Sequence, residues 1–186
     1  AVEQLRRLVE TGHEICGVFT QPDKPKNRGM KMTFSPVKEY ALTHGLEVYQ
    51  PTKMRDGSAL EIVKKLQPEL TVVAAYGRIL PEDILAVPPL GSINVHSSIL
   101  PQYRGAAPIN WAILDGCRET GVTIMHMAKE LDAGDIICVK KTEILPDENA
   151  QELTHRLALL GGIGDALLPL DAAQQALHVA GGQQLV

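Results

Sequence analysis

The sequence predicts an α/β fold built on a mostly parallel sheet with one antiparallel strand pair. Three observations lead there. Helix-like and strand-like segments alternate along the chain. Leu70 to Ala75 is apolar throughout, as a parallel strand covered on both faces must be. Gly121 to Met127 and Ile136 to Ile144 are strand-like runs joined by a short turn around ELDAGD, which makes them an antiparallel pair.

The elements follow in order. Val2, Leu5, Leu8 and Val9 repeat at helical spacing and Gly12 stops them, so a helix opens the chain. Glu14 to Thr20 is a strand, and a polar, proline-broken loop follows from Gln21 to Ser35. Ser35 and Pro36 are an N-cap and first-turn pair, Gly45 closes that helix, and Glu47 to Tyr49 is a brief strand. Ser58 and Glu61 have capping-box spacing and begin a third helix that ends before Pro68. After Leu70 to Ala75, Tyr76 to Pro81 turns into a short helix. Leu90 to Val95 is a strand with a glycine start, and a helix containing Trp111 begins near Ala107. Beyond Pro146 the pattern is two helical segments broken by Gly161, Gly162 and Gly164.

With 186 residues and 45 % hydrophobic content, the chain can bury one core. Its net charge of -4 and pI near 5.9 provide no global field for a polyanion, so nucleic-acid contact requires a local patch. Lys24, Lys26, Arg28 and Lys31 form the one dense basic cluster. Cys16, Cys117 and Cys138 are far apart with no C-x-x-C pair, which predicts reduced, buried thiols rather than a disulfide framework or zinc ribbon. No apolar run approaches membrane-spanning length, and the start AVEQLRRL has neither a signal-peptide core nor an initiator Met. The expectation is a soluble chain that begins partway into a gene product.

The stretch NVHSSILPQYRGAAPIN, Asn94 to Asn110, reads as the rim of a site. Asn94 and His96 lie two apart at a strand end, so they share a side. In an open α/β sheet the ligand crevice lies beyond the carboxyl ends of the strands. An amide and an imidazole side by side can face one substrate oxygen and stabilise an oxyanion. A lone histidine is usually structural, and His13, His44, His126, His155 and His178 are read so. Asp132 in the ELDAGD turn is either an Asx-turn residue or, if that turn comes beside His96, a carboxylate that favours the imidazolium as a general acid. The run Gly161 to Gly164 hints at a dinucleotide fingerprint, but Leu167 stands where its last glycine or alanine belongs and no strand precedes it. Walker-loop, H-E-x-x-H and G-x-S-x-G motifs are absent.

Four stretches, TQPDKPKNRGMKMTFSPVK, VVAAYGRILPEDIL, INVHSSILPQYRGAAPI and TGVTIMHMAKELDAGDI, resemble the methionyl-tRNA formyltransferase family in its N-terminal catalytic domain, and in the family's order. The resemblance implies a Rossmann-like formyltransferase fold. It also implies transfer of a formyl group from 10-formyltetrahydrofolate to the amino group of methionyl-initiator tRNA, with no metal required. Asn94, His96 and Asp132 match the family's catalytic Asn, His and Asp. Ser98, Ile99, Leu100 and Pro101 match the segment that lines the folate site, and Tyr76, Arg78, Ile79 and Leu80 match the loop around the pterin end. The loop with Lys24, Lys26, Arg28 and Lys31 matches the insertion that meets tRNA, and is expected to be poorly ordered without it. A monomer is implied, cytoplasmic or, in a eukaryote, mitochondrial.

By the same resemblance, the family's first strand and the loop after it precede Ala1, and its C-terminal β-barrel domain is absent from the chain. The missing strand belongs between residues 14 to 20 and 70 to 75, so the sheet is expected to keep an open slot there. Two alternatives share these residues: a formyltransferase acting on an amino sugar nucleotide, which the basic loop disfavours, and a truncated, non-catalytic folate-binding domain.

Overall fold

The computed structural model describes residues 1–26, 31–162 and 176–181. A mixed α/β architecture surrounds a seven-stranded sheet. The chain runs α1 (Val2–Glu10), β1 (Glu14–Thr20), β2 (Lys24–Lys26), β3 (Lys31–Thr33), α2 (Pro36–Thr43), β4 (Val48–Tyr49), α3 (Ser58–Leu66) and β5 (Leu70–Ala74). It continues through α4 (Glu82–Leu85), β6 (Ser92–His96), α5 (Pro108–Leu114), β7 (Glu119–His126), β8 (Ile136–Glu143), α6 (Ala150–Leu160) and β9 (Ala176–Gly181). The sheet order is β4-β1-β9-β5-β6-β7-β8. Pairing is parallel from β4 to β6 and antiparallel for β6–β7 and β7–β8. Among the described residues no helix is long and apolar enough to cross a membrane.

Side chains alternate across the sheet, and this alternation divides the core. Val18, Val72, Ala74, Ile93 and Val95 pack with Leu5 and Leu8 of α1, Val37 and Ala41 of α2, Ile109 of α5, and Leu153 and Leu157 of α6. Phe19 and Val73 face the other way, onto Ala59 and Val63 of α3 and Ile84 of α4. Asn94 and His96 alternate with Ile93 and Val95 on β6, so they lie on the face opposite α1, α5 and α6.

Several expectations are corrected. Strand β9 occupies the centre of the sheet, pairing in parallel with β1 (Val18↔Val179) and β5 (Val72↔Val179), so the expected slot is filled. The second helical segment expected after Pro146 falls partly outside the described residues, and 176–181 is a strand. Ser58 is the first helical residue, not an N-cap: Gly57 caps α3, and Asp56 accepts from the Ser58 N–H and hydroxyl at 3.1 and 2.6 Å. This local Asx contact outcompetes the capping box. A capping box does form at α6, where Asn149 and Glu152 bond reciprocally. The three cysteines form no disulfide but are only half-buried; burial still pushes the Cys16 thiol up to about 11.

The loop Gln21 to Ser35 is not irregular throughout. Its β2 and β3 form an antiparallel ribbon pairing Lys24 with Thr33 and Lys26 with Lys31. At its base, Lys38 donates to Asp23 at 2.5 Å and to Gln50 at 2.7 Å. Gln50 donates to Asp23 and to the Gln21 carbonyl at 2.9 and 2.8 Å. The Lys38 ammonium also lies 4.1 Å from the centre of the Phe34 ring.

Candidate active site

Three connections leave the same edge of the parallel strands: the basic ribbon after β1, residues 75–81 after β5, and residues 97–107 after β6. The last of these builds the candidate site. It packs onto the sheet through Thr123 of β7, fully buried, whose hydroxyl donates to the Ser98 carbonyl at 2.7 Å and accepts from the Leu100 N–H at 3.1 Å. The Leu100–Pro101 peptide is cis. Ser98 donates to the Gln102 carbonyl at 2.6 Å, and the Gln102 N–H reaches the Ile99 carbonyl at 3.0 Å, closing the turn on itself.

Asn94, His96 and Asp132 meet on this face. Asn94 Nδ2 donates to Asp132 Oδ1 at 3.2 Å, His96 Nδ1 lies 3.5 Å from Asp132 Oδ2, and the Gly105 N–H donates to Oδ2 at 2.8 Å. The His96 and Asp132 side chains are each 7 % exposed. The other ring nitrogen, Nε2, bonds the Tyr103 carbonyl at 2.8 Å. Both ring nitrogens therefore face acceptors, so each proton of a doubly protonated ring has an acceptor nearby. An amide carries two N–H donors, and among the described residues only Asp132 accepts from that of Asn94. The second N–H has no acceptor among the described residues.

Asp132 reaches this cluster because its connection is not a tight hairpin. Residues 127–135 fold back over the sheet face, with the Asp132 backbone left-handed at φ 48°. Gly134 is obligatory there, since a Cβ would stand 1.8 Å from the His126 carbonyl oxygen. Across the cluster, Tyr103, Gly105 and Ala107 are also left-handed, at φ 56°, 87° and 54°. For the two non-glycine residues this costs roughly 1–2 kcal/mol each.

The residues expected to hold the donor divide. Tyr76 is 2 % exposed and its hydroxyl donates to Met54 Sδ at 3.4 Å, while Ser98, Leu100 and Leu80 are also buried. Their side chains shape the loops instead of lining an open surface. Arg78 and Ile79 border an open cleft of about 450 Å³ with Thr52, Lys53, Met54 and Arg55, and Arg78 Nη1 donates to the Pro51 and Thr52 carbonyls at 3.0 and 2.9 Å. Ile99 is half-buried and Pro101 exposed. Of the expected basic cluster, Lys24, Lys26 and Lys31 lie on the ribbon and Arg28 lies outside the described residues. The sequence reading missed Tyr103 and Gly105. Both contribute backbone atoms, which no side-chain motif signals, although the glycine itself was a legible hint.

A family described as formyl transferase matches residues 1–164. The methionyl-tRNA formyltransferase of Caldanaerobacter subterraneus subsp. tengcongensis is 54 % identical over 162 residues, covering 87 % of this chain and 52 % of its own length. That of Clostridioides difficile is 52 % identical over 163 residues, with the same coverages of 87 % and 52 %. The chain thus spans about half the length of the curated relatives it matches. In fold, phosphoribosylglycinamide formyltransferase from Bacillus halodurans superposes with a TM-score of 0.72 at 20 % identity, over 93 % of this chain and 91 % of that one.

Proposed function

The chain belongs to the formyl transferase family, and on that premise we propose that it carries the site that moves a formyl group from 10-formyltetrahydrofolate to the amino group of methionyl-initiator tRNA. The observation that carries this reading is the convergence of Asn94, His96 and Gly105 on the single carboxylate of Asp132. The 54 % identity to a relative bearing the methionyl-tRNA formyltransferase name supports this acceptor.

The amine attacks the formyl carbon, forming the new C–N bond and leaving the electron pair on the formyl oxygen. The free N–H of Asn94 donates to that oxyanion, and a protonated His96 beside it balances the charge. Collapse restores the carbonyl and breaks the bond to the folate nitrogen. The proton shed by the amine ends on that nitrogen, relayed through Asp132. Arg78 and Ile79 border the donor's approach, and the basic segment of sequence with Lys24, Lys26, Arg28 and Lys31 contacts tRNA phosphates. The reaction belongs to translation initiation, in the cytoplasm.

The test is formyl transfer from 10-formyltetrahydrofolate with charged initiator tRNA, an amino sugar nucleotide, or no acceptor. Formylated methionyl-tRNA is the expected product. Formylation of the sugar would replace the acceptor, and donor binding without transfer to either would replace the reaction with a binding role.

A further inference from the structure

Tyr103 touches the candidate site at one end and is tethered far from it at the other. Its carbonyl accepts from His96 Nε2 at 2.8 Å, while its hydroxyl donates to Asp115 Oδ2 at 2.7 Å and lies 3.1 Å from Cys117 Sγ. With the phenol proton on Asp115, the thiol is the donor to the phenol oxygen. Asp115 caps the carboxyl end of α5, and the Cys117 N–H returns to the Ala112 carbonyl at 2.9 Å, so both tether points belong to a helix end. Bonds to Cys117 and to Asp115 push the phenol well above its ordinary range, so it stays protonated and remains a donor.

The left-handed backbone at Tyr103 is what turns its carbonyl towards the imidazole. A non-glycine residue keeps such a conformation only where its surroundings hold it. The preceding turn is held by the Ser98 and Gln102 bonds, and the ring is held by α5.

We propose that Tyr103 is a positioning residue for His96: its phenol, anchored on Asp115 and Cys117, locks the backbone turn whose carbonyl holds Nε2, and this leaves Nδ1 as the ring nitrogen facing Asp132. The kinetic consequence rests on the formyl-transfer reading, whereas the tautomer consequence does not. A carbonyl only accepts, so the 2.8 Å bond needs a proton on Nε2, while the Asp132 carboxylate 3.5 Å from Nδ1 is the longer, competing acceptor for the single proton of a neutral ring. Without the anchor the turn relaxes and the neutral ring samples both tautomers.

The experiment compares the protein with Tyr103→Phe, Asp115→Ala and Asp115→Asn. Long-range proton–nitrogen NMR of the His96 ring, in ligand-free protein, should show a fixed Nε2–H form that becomes a mixture in Tyr103→Phe and Asp115→Ala. Asp115→Asn keeps an acceptor for the phenol and should fall between these and the parent. In the formyl-transfer assay, kcat should drop by about ten- to a hundred-fold in Tyr103→Phe with the donor KM unchanged, the scale of a misplaced reacting group. An unaltered His96 signature in Tyr103→Phe, or equal effects of Asp115→Ala and Asp115→Asn, overturns the proposal even if the melting temperature falls. A parent protein inactive on methionyl-tRNA would overturn the reaction instead, leaving the NMR comparison to decide the role of Tyr103.

Discussion

Asp132 has three donor groups within 3.5 Å, from Asn94, His96 and Gly105, and its side chain is 7 % exposed. The basic ribbon Lys24–Thr33 is built the other way: a two-stranded extension carrying lysines, tied at its root by Asp23, Lys38 and Gln50. The first arrangement fixes atoms before any ligand arrives, as stabilisation of a developing charge demands. The second is an extension from the sheet edge, which the proposed function assigns to a ligand recognised by its phosphates. On that reading, chemistry and capture use different physics at the same edge of one sheet.

The comparison is broken most severely at its buried end. Asp132→Asn replaces an acceptor of three donors with an amide that competes with them, and turnover should fall by about a thousand-fold, the upper range for one electrostatic partner. Steady-state kinetics with unchanged tRNA affinity would locate the loss in chemistry; a fall of less than threefold would remove Asp132 from the mechanism. Asn94→Ala deletes the N–H available to the oxyanion and should lower turnover by about a hundred-fold with donor binding nearly intact. Donor KM and kcat measured together check this, and a rise in KM alone would contradict it.

At the root of the ribbon the effect moves to stability and to acid pH. The Lys38 hydrogen bond, helped by Gln50, holds the Asp23 carboxyl below its ordinary value of 3.8, against the opposing effect of burial. A depressed carboxylate contributes stability above the unfolded value and loses it as pH falls through the folded one. Asp23→Asn should therefore be less stable than the parent at neutral pH, with the gap closing as pH drops below 3.8. Chemical denaturation at several pH values would show it; a gap independent of pH would mean that Asp23 acts through its shape and not its charge. The smallest change is Lys24→Ala, which should leave turnover at saturating tRNA intact. It should reduce the slope of log affinity against log salt by up to about 0.9, read from binding isotherms at several salt concentrations.

The sequence was legible where one residue pattern had one structural meaning. Leu70 to Ala74 is buried at every position, and Ser35–Pro36 caps α2 as the pair suggests. Asn94 and His96 share a face because strands alternate, and that half of the cluster needed no tertiary information. Asp132 needed it: the fold-back of residues 127–135 depends on Gly134 lying against the His126 carbonyl, a contact that no local pattern encodes. Tyr103 was illegible for a related reason, since its carbonyl touches the histidine and every residue has a carbonyl. Ser58 with Glu61 fits a capping box in sequence, but Asp56 two residues earlier bonds the serine instead. Strand β9 was hidden because a short run such as ALHVAG acquires its meaning from the neighbours it pairs with.

That central strand also sets an order of assembly. Without residues 176–181, the backbone ladders fall into two sets, β4 with β1 and β5 through β8, each formed from a contiguous stretch of chain. The ribbon grows from the first set and the Asn94–His96–Asp132 cluster from the second. A chain emerging from the ribosome can fold each set as it appears, but their backbone union within the sheet waits for the pairing of Glu14 with Ala176, which closes a long loop. Within the sheet, the ribbon and the cluster are therefore held in register by a strand distant from both in sequence, and a fault in that strand would separate them before it damaged either.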